Sequence, residues 1–450
     1  MTSERPTEHP PRSSIVKVVA SSMVGTTVEW YDFFLYGVAA AAVFPAVFFP
    51  SDDPTVGTLL ALGTFAIGFV ARPIGGLVFG HFGDRIGRKK LLVLSLLMMG
   101  VATFAIGLLP GYASIGVAAP ALLVLLRLVQ GFALGGEWGG AVLLVSEHGD
   151  PARRGYWASW PQAGVPVGQL LANGLLALLA VFQPEEDFLS WGWRVPFLLS
   201  AVLVLVGLYI RLAVEESPVF KAAQQKAEAA AAAGEKESMP IVQVLRQYPR
   251  EVLTAMGARF AENVSYYIFT IVVVTYVNTR FDVPSSFVLN AVLIGAAVHF
   301  VSIPLWGALS DRMGRRPVYL IGAVGVGVWA FVFFALIDTQ SFALTALAVS
   351  VGLVLHGAMY GPQAAFLSEL FGTKVRYSGV SIGYQLASIV AGGLAPLIAV
   401  ALLARFDSGY AIAVYVAACS VISIVAVATY AETRHRDLAE DPAVSQPTRP

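Results

Sequence analysis

The sequence predicts an all-α membrane protein with twelve transmembrane helices arranged in two pseudo-symmetric six-helix bundles. Of its 450 residues, 57% are apolar and 13% are charged. A soluble domain carries about 25% charged residues, so lipid is the expected solvent. Apolar stretches of about 20 residues, the length that a helix needs to cross the hydrocarbon core, recur along the chain. A charged motif of the first half also recurs in the second half.

Each apolar stretch is expected to form one spanning helix, because a helix satisfies its own backbone polar groups in lipid. The alternating pattern of a spanning β-barrel is absent from the sequence. The first stretch is too long for the core of a signal peptide, so we expect it to remain as a helix. The predicted spans lie at roughly 20–48, 57–80, 91–110, 117–144, 156–181, 193–212, 251–278, 286–309, 317–337, 342–368, 377–404 and 410–431.

Polar segments divide the chain into five parts. The predicted parts are an N-terminal tail at 1–19, a six-helix bundle at 20–212, a linker at 213–250, a second six-helix bundle at 251–431 and a C-terminal tail at 432–450. The linker contains AEAAAAAGEKES, a composition typical of a partly helical spacer.

The distribution of basic residues predicts the orientation of the chain. Alternate loops are basic, with Arg85, Arg88, Lys89, Lys90, Arg153, Arg154, Arg312, Arg315, Arg316, Lys374 and Arg376. The opposite loops carry only Arg194, Arg280 and Arg405. Since basic loops stay in the cytoplasm, both termini, the linker and both tails are predicted to be cytoplasmic.

An internal repeat relates the two predicted bundles. The segment GHFGDRIGRKK at 80–90 is echoed by GALSDRMGRRP at 307–317, and Glu147 and Arg154 are echoed 222 positions later by Glu369 and Arg376. Two parallel repeats with a site between them near the membrane midplane are typical of secondary transporters. We therefore expect a transporter.

The repeated segment resembles the loop between helices 2 and 3 of the major facilitator superfamily, whose pattern G-x-x-x-D-R-x-G-R is met at 80–88. A finer similarity, to the metabolite:proton symporter family, rests on GTTVEWYDFFLYG at 25–37, RLVQGFALGGEWGGA at 127–141, FLSWGWRVPF at 188–197 and EESPVF at 215–220. This resemblance implies proton-driven uptake of a small organic acid across a bacterial cytoplasmic (inner) membrane. Members of that family also carry zwitterionic osmolytes, so osmolyte uptake stays open, as does proton-antiport efflux.

Charged residues at the cytoplasmic helix ends form a predicted gate. Carboxylates next to guanidinium groups can pair with helix termini and with the facing bundle, and so hold one side shut. The alternative is that these arginines only enforce topology. The predicted gate residues are Asp84, Arg85, Arg88, Glu147, Arg154, Asp311, Arg312, Arg315, Glu369 and Arg376.

Carboxylates inside the predicted spans are the candidates for proton coupling, because a charge in the bilayer costs about 2.5–3.5 kcal/mol unless it is paired or solvated. Glu29 and Asp32 are three residues apart and so share one helix face. Their repulsion favours protonation of one of them near neutral pH. We predict Asp32 as the proton carrier, with Glu29 and Glu137 assisting; the alternative is that one carboxylate permanently neutralises an arginine.

Arginines inside the predicted spans are candidates for substrate binding, since a guanidinium group can hold a carboxylate with two hydrogen bonds. Arg127 lies on a polar side of helix 4, and Arg259 lies three residues before Glu262 in helix 7. We favour Arg127 as the anchor; the alternative is a structural ion pair with a helix 1 carboxylate. The remaining predicted binding residues are Gln130, Glu262, Tyr36, Tyr360, Gln363, Tyr384 and Gln385.

Three other intramembrane residues are left off the predicted site. Arg72 is expected to be a structural charge, and His299 and His356 are expected to be core residues, with a place in a proton relay as the second possibility.

Several function classes are disfavoured. The sequence has one cysteine and no pair of histidines at zinc-ligand spacing within a helix, so neither a metal nor an enzyme active site is expected. No phosphate-binding G-x-x-x-x-G-K-[ST] loop occurs, and the formal net charge of zero gives no reason to expect nucleic acid. We expect no cofactor, and partners limited to a small organic acid, protons and the lipid bilayer, with the chain as a monomer.

Overall fold

The computed structural model describes residues 12–86, 88–135, 142, 145–146, 150–213, 240–372 and 375–436, without the side chains of 80–90 and a few other positions. Twelve long helical segments run through this part of the chain. They are α1 (Arg12–Ala42), α2 (Pro54–Ile86), α3 (Arg88–Leu108), α4 (Ala118–Leu134), α5 (Arg154–Phe182), α6 (Arg194–Ala213), α7 (Pro249–Tyr267, continued by Val273–Arg280), α8 (Ser285–Met313), α9 (Arg315–Ile337), α10 (Phe342–Leu370), α11 (Arg376–Ala387, continued by Ala395–Phe406) and α12 (Gly409–Ala428).

The described helices confirm the predicted fold class. Nine of them are long and apolar enough to cross a membrane, and α3 and α4 contain shorter apolar stretches. The remaining long helix, α1, carries Glu29 and Asp32 in its second half. Short helices occupy the loops at Phe44–Phe48, Tyr112–Ile115, Pro151–Arg153, Glu185–Asp187, Phe188–Gly192 and Pro240–Gln247.

The first helix begins at Arg12, eight residues before the predicted start of the span at 20. The early turns contribute Ile15 and Val19 to a small apolar cluster with Val145, against which Trp157 and Trp160 pack. Tertiary packing therefore extends the helix through a segment that hydropathy assigns to a polar tail. Hydropathy alone could not predict this, because Lys17 and two serines interrupt the apolar pattern there.

The helices form a central and a peripheral set. In the centre, α1, α2, α4 and α5 of the first bundle face α7, α8, α10 and α11 of the second, with direct contacts of α5 to α8 and of α2 to α11. The best apolar window of α7 is 94% buried, whereas that of α12 is 39% buried. Large apolar side chains of α3, α6, α9 and α12 stay exposed and form the surface expected to meet lipid.

Glycines set the closest approaches between these helices. A Cβ on Gly131 of α4 would lie 2.0 Å from the Gly68 carbonyl oxygen of α2. Between the bundles, a Cβ on Gly155 would lie 2.6 Å from the Gly307 carbonyl oxygen, and the reverse contact is the same. Small residues let helix backbones touch in membranes, where lipid removes the hydrophobic drive for helices to associate.

The close contact of α2 and α4 makes a stability prediction. Replacing Gly131→Ala should lower the free energy of unfolding by about 1–3 kcal/mol, because backbone atoms rather than a flexible side chain must move. The apparent Tm of the purified protein in detergent, followed by intrinsic fluorescence, measures this. The matched control is Gly63→Ala in α2, where no atom of another described helix lies within 4 Å of the added Cβ. Equal Tm values for the two variants would contradict the prediction.

Candidate functional site

Four charged side chains of the first bundle meet between α1, α2 and α4, close to the middle of each helix. Glu29, Asp32, Arg72 and Arg127 are only 2–5% exposed. They line a cavity of about 10 Å³ together with Phe33, Gly68, Met99, Gln130, Gly131 and Leu134. A space of this size holds about one water molecule, so the site is closed around its own side chains in this conformation.

Asp32 is buried with little compensation for its charge. The Thr103 hydroxyl and the Arg127 guanidinium lie beside its carboxyl group, but neither carboxyl oxygen accepts a hydrogen bond of normal geometry from a described residue. Burial without hydrogen bonds disfavours the ionised form of a carboxyl group. The geometry therefore suits a group that gains and loses a proton.

Arg127 contacts an amide and aromatic rings. One terminal nitrogen donates to Gln130 Oε1 (3.1 Å), and Gln130 Nε2 donates to the Thr103 hydroxyl (2.7 Å). The guanidinium carbon lies 4.1 Å from the ring centre of Tyr36, whose hydroxyl donates to Thr64. The Nε of Arg127 has no hydrogen-bond partner in the described part of the chain. Arg127, Gln130 and Tyr36, all predicted to bind substrate, are thus brought together.

Arg72, which the sequence analysis left off the site, lies in its centre. Its guanidinium carbon stacks 4.1 Å from the ring centre of Phe69 and faces Glu29, Tyr267 and Tyr384. Ion pairs among the described residues include those of Arg154, Arg259, Arg280, Arg315 and His356. No sequence signal identified Arg72, because its charged neighbours come from other helices.

The second bundle holds a polar network around Arg259. Its terminal nitrogens donate to Glu262 (2.7 Å), Gln363 (3.0 Å), Asn263 (3.0 Å) and Ser388 (3.1 Å). The guanidinium carbon lies 3.5 Å from the ring centre of Tyr384. A π-helical turn begins at Ser388 in α11, and another follows Tyr267 in α7. Such turns often occur at functional sites.

Two contacts join the bundles near this network. The Tyr266 hydroxyl donates to Gln169 Oε1 of α5 (3.0 Å), and Gln385 Nε2 donates to the Gly135 carbonyl (3.1 Å). The Tyr360 hydroxyl is buried without a hydrogen-bond partner among the described residues. Of the predicted binding residues in the second bundle, Glu262, Gln363, Tyr384 and Tyr360 lie at or beside Arg259, whereas the hydrogen bond of Gln385 goes to the first bundle.

Two histidines extend the network away from Arg259. His356 Nε2 lies 3.4 Å from Glu262 Oε1, and His356 Nδ1 lies 2.9 Å from His299 Nε2. Both imidazoles are buried between the rings of Tyr266 and Tyr360. They lie 57 positions apart on α10 and α8, so no sequence spacing could pair them.

Aromatic rings lie between the four charged side chains of the first bundle and the Arg259 network of the second. Phe33, Phe65 and Phe69 of the first bundle pack around Tyr267 of the second, with ring centres 5.8–6.0 Å from it. Edge-to-face packing at such distances is favourable. These rings therefore fill the space between the two bundles next to the buried charges.

At the opposite helix ends, Asp311 of α8 caps the N-terminus of α5 in the other bundle. Its carboxylate accepts hydrogen bonds from the backbone N–H groups of Gly155 and Tyr156, both at 2.8 Å. Arg315 pairs with the same carboxylate at 2.7 Å. A carboxylate is stabilised at a helix N-terminus by free N–H groups and by the helix dipole.

Glu369 of α10 is the centre of this interbundle cluster, which comprises Arg154, Asp311, Arg315, Glu369 and Thr433. The Glu369 carboxylate pairs with Arg154 of the first bundle (3.0 Å) and with Arg315 of its own bundle (3.3 Å). It also accepts a hydrogen bond from the Thr433 hydroxyl (2.7 Å). Arg154, Arg315 and Glu369 are at most 6% exposed at their side chains, so water screens these pairs little.

The segment after α12 belongs to the same arrangement, although the sequence analysis gave this tail no role. Glu432 accepts hydrogen bonds from the backbone N–H groups of Arg315 (2.8 Å) and Arg316 (3.0 Å), and so caps α9. Arg436 donates to the Glu369 carbonyl oxygen (3.3 Å). The tail thereby holds the start of α9 against the end of α10.

The other predicted gate residues are placed differently. Arg376 donates to the carbonyl oxygens of Ser368 and Phe371 within its own bundle. Arg312 is exposed. The side chains of Asp84, Arg85 and Arg88, and the residues Glu137 and Glu147, lie outside what the structure describes.

The interbundle cluster predicts a change in accessibility. Glu369→Gln removes the charge that pairs with Arg154 and Arg315, so the closed arrangement should lose about 1.4 kcal/mol, or tenfold in population, relative to an open one. A cysteine at the fully buried Ser159, in a Cys419→Ser background, should then react about ten times faster with a maleimide.

The matched control for this experiment is Asp407→Asn, which removes the exposed ion pair with Arg280 at the far end of α7. It should leave the labelling rate unchanged. Equal rates in the Glu369→Gln and parent proteins would contradict a closing role for the cluster.

The chain is similar in sequence to known membrane transport proteins. The chain matches the family described as "Sugar (and other) transporter" over residues 17–444. It is 44% identical over 436 residues to the inner membrane metabolite transport protein YhjE of Escherichia coli, covering 96% of this chain and 97% of the relative. It is 42% identical to the shikimate transporter of the same species, covering 90% and 92%.

A more distant relative and a solved structure complete the comparison. The proline/betaine transporter of Escherichia coli is 35% identical, with 94% of this chain and 84% of the relative covered. The structure of the major facilitator superfamily proton:xylose symporter XylE is similar with a TM-score of 0.76 at 18% identity, covering 96% of this chain and 99% of that one. At this identity the structural likeness establishes the fold.

Proposed function

Since the chain belongs to the sugar (and other) transporter family, as its resemblance to the major facilitator superfamily predicted, we propose that it imports a small organic acid together with protons across a bacterial inner membrane. The observation that carries the proposal is the balance of buried charge between the bundles. Three guanidinium groups (Arg72, Arg127, Arg259) face three carboxylates (Glu29, Asp32, Glu262) in the described residues.

This balance couples an anion to a proton. With all six of these groups ionised their charges sum to zero, and protonation of Asp32 leaves this described set with an excess of one positive charge. A bound monocarboxylate then restores neutrality. Because uncompensated charge in the bilayer is costly, proton and anion favour each other's binding.

The first bundle offers the free donors that an anion needs. The terminal nitrogens of Arg259 already donate to four acceptors, whereas those of Arg127 donate to one amide; the Nε of each has no hydrogen-bond partner in the described region. A carboxylate between Arg127 and Arg72 would gain charge-assisted hydrogen bonds. This supports Arg127 as the anchor and adds Arg72 to it.

Alternating access supplies the transport step. The interbundle cluster closes one side through contacts across α5, α8 and α10, and we assign that side to the cytoplasm, with both termini there. Opening it requires Glu369 and Asp311 to exchange their partners. A buried ion pair contributes little net stability over separated, hydrated charges, so a modest difference in ligand binding can shift the equilibrium.

The substrate is proposed to be a hydroxy or oxo carboxylate such as shikimate, on the strength of the relative named for that acid. Two alternatives to uptake of an organic acid are less well supported. The relative named for proline and betaine favours a zwitterion, whose carboxylate would use the same arginines. Proton-antiport efflux would use the same charges with the gradients reversed.

Reconstitution in liposomes with an inward proton gradient tests this function. Uptake would be measured for shikimate, 2-oxoglutarate, citrate, a hydroxybenzoate and glycine betaine. We expect one acid to accumulate and to stop accumulating when a protonophore is added. Accumulation of betaine alone would favour the osmolyte alternative, and efflux without gradient-driven uptake would contradict import.

Asp32→Asn should lower accumulation driven by a gradient of one pH unit by at least about tenfold, because the amide neither releases nor binds a transported proton. Exchange of labelled for unlabelled acid should persist, because the uncharged amide resembles the protonated Asp32 carboxyl group, the form to which the acid binds. The matched control is Asp52→Asn in an exposed loop. Accumulation at the parent level in Asp32→Asn would contradict the proposed proton carrier.

Arg127→Gln should raise the KM for the acid about 10- to 100-fold, since a hydrogen bond to a charged group contributes about 1.5–3 kcal/mol. Initial uptake rates across substrate concentrations measure this effect. Arg280→Gln, which removes an exposed guanidinium from the same chain, serves as the control. An unchanged KM would remove Arg127 as the anchor and leave Arg259 as the candidate.

A further inference from the structure

The buried His356–His299 pair carries an inference that rests on the proposed function and extends it. We propose that this pair is a second proton-binding site, which takes up one proton for each anion carried and frees Arg259 from Glu262 to meet the substrate. Transport of a monocarboxylate is then electrogenic, with two protons moving for one negative charge.

The contacts of the pair favour one arrangement of its hydrogens in the neutral form. Glu262 Oε2 accepts from Arg259 and Gln363, while Oε1 faces His356 Nε2 at 3.4 Å without a hydrogen bond between them. Because a negative carboxylate oxygen attracts an N–H group and repels a nitrogen lone pair, we place the hydrogen of His356 on Nε2. Its Nδ1 must then accept from His299 Nε2–H at 2.9 Å. His299 Nδ1 is left as a bare acceptor, buried without a hydrogen-bond partner among the described residues.

This arrangement has one entry point and one destination for a proton. A proton that binds His299 Nδ1 makes that ring an imidazolium. His299 then passes its Nε2 proton to His356 Nδ1, which leaves His299 neutral and His356 positively charged. The new charge lies beside the Glu262 carboxylate, where an ion pair stabilises it. The number of protons is conserved, and each N–H bond that breaks is replaced by another.

The groups around the pair give the proton a single ionised partner. From α7 it faces Glu262 and the neutral phenol of Tyr266, and from α10 the phenol of Tyr360. From α5, Gln169 reaches it through the Tyr266 hydroxyl. Among the described side chains, Glu262 is thus the only carboxylate in contact with the pair, and Arg259 competes for it.

This competition links the proton to the substrate. When His356 is charged, the Glu262 carboxylate faces two cations, His356 and Arg259. The net cost of removing Arg259 from Glu262 is then lower. Arg259, which lies on the second bundle, can then turn toward an anion held by Arg127 and Arg72 on the first. Protonation of the pair therefore favours closure of the bundles around the acid, and the acid favours protonation of the pair.

The dependence of uptake on membrane potential tests the proposal. Liposomes would be given equal pH on both sides and an inside-negative potassium diffusion potential, with shikimate, a monocarboxylic acid, as the probe. One net positive charge per cycle allows about 50-fold accumulation at 100 mV. We expect potential-driven accumulation in the parent protein and its loss in His356→Gln and His299→Gln. In both variants, uptake driven by a pH gradient should continue with a raised KM, because Arg259 stays paired with Glu262.

The matched control is His435→Gln, at an exposed position, which should keep the potential response. A parent protein that takes up acid with a pH gradient but ignores the potential would overturn the pair's role and leave the proposed function intact. An unchanged potential response in His356→Gln would do the same. Absence of any gradient-driven acid uptake in the parent would instead contradict the proposed function.

A spectroscopic measurement tests the pair without transport. In parent protein labelled with ¹⁵N-histidine, the rings of His299 and His356 should each give one signal for a protonated nitrogen and one for a bare nitrogen at neutral pH. The His299→Gln variant should lose these separate signals for both rings. Averaged signals for all histidines, as for exposed rings, would contradict the shared hydrogen bond. This readout holds even if a variant proves inactive.

Discussion

The cost of burying charge in a low-dielectric interior is the constraint on which the rest of the structure depends. Every ionised group inside the two bundles needs an opposite charge, a set of hydrogen bonds or a proton. The Arg259 network meets this need with four acceptors and a stacked ring. Asp32 does not, and an incompletely compensated carboxyl group is what proton coupling requires.

The interbundle cluster and the central cluster, which comprises Glu29, Asp32, Arg72, Arg127, Arg259 and Glu262, meet the same constraint in different ways. In the interbundle cluster, partners come from both bundles, so Arg154 and Glu369 compensate each other only while that side is closed. In the central cluster, Arg259 and Glu262 compensate each other within one bundle. Rocking of the bundles therefore breaks the interbundle contacts and leaves the local ones intact. A ligand that bridges Arg127 and Arg259 would reverse this preference, because it adds compensation across the centre.

The sequence predicted what depends on local pattern. Hydropathy located the spanning helices, and spacing of three residues predicted that Glu29 and Asp32, and Arg259 and Glu262, share a helix face. It could not predict contacts between distant helices, such as His299 with His356 or Asp311 with the start of α5. Arg72 was missed for the same reason, since its role depends on neighbours from α1, α7 and α11. The early start of α1 depends on packing against Trp157 and Trp160, which hydropathy does not measure.

One helix connects the central charges to the interbundle cluster. Along α10, His356 is followed by Tyr360 and Gln363 at the site and by Glu369 at the interbundle cluster. At 1.5 Å per residue, the 13 positions from His356 to Glu369 span about 20 Å. Pro362 lies within this stretch and donates no backbone hydrogen bond, so α10 can bend there as well as tilt as a unit. Under the proposed mechanism, tilting or bending of α10 against α5, which carries both Gln169 and Arg154, links the charge state of His356 to the partners of Glu369. Coupling between proton, substrate and opening then requires no chain of side-chain rearrangements between the clusters.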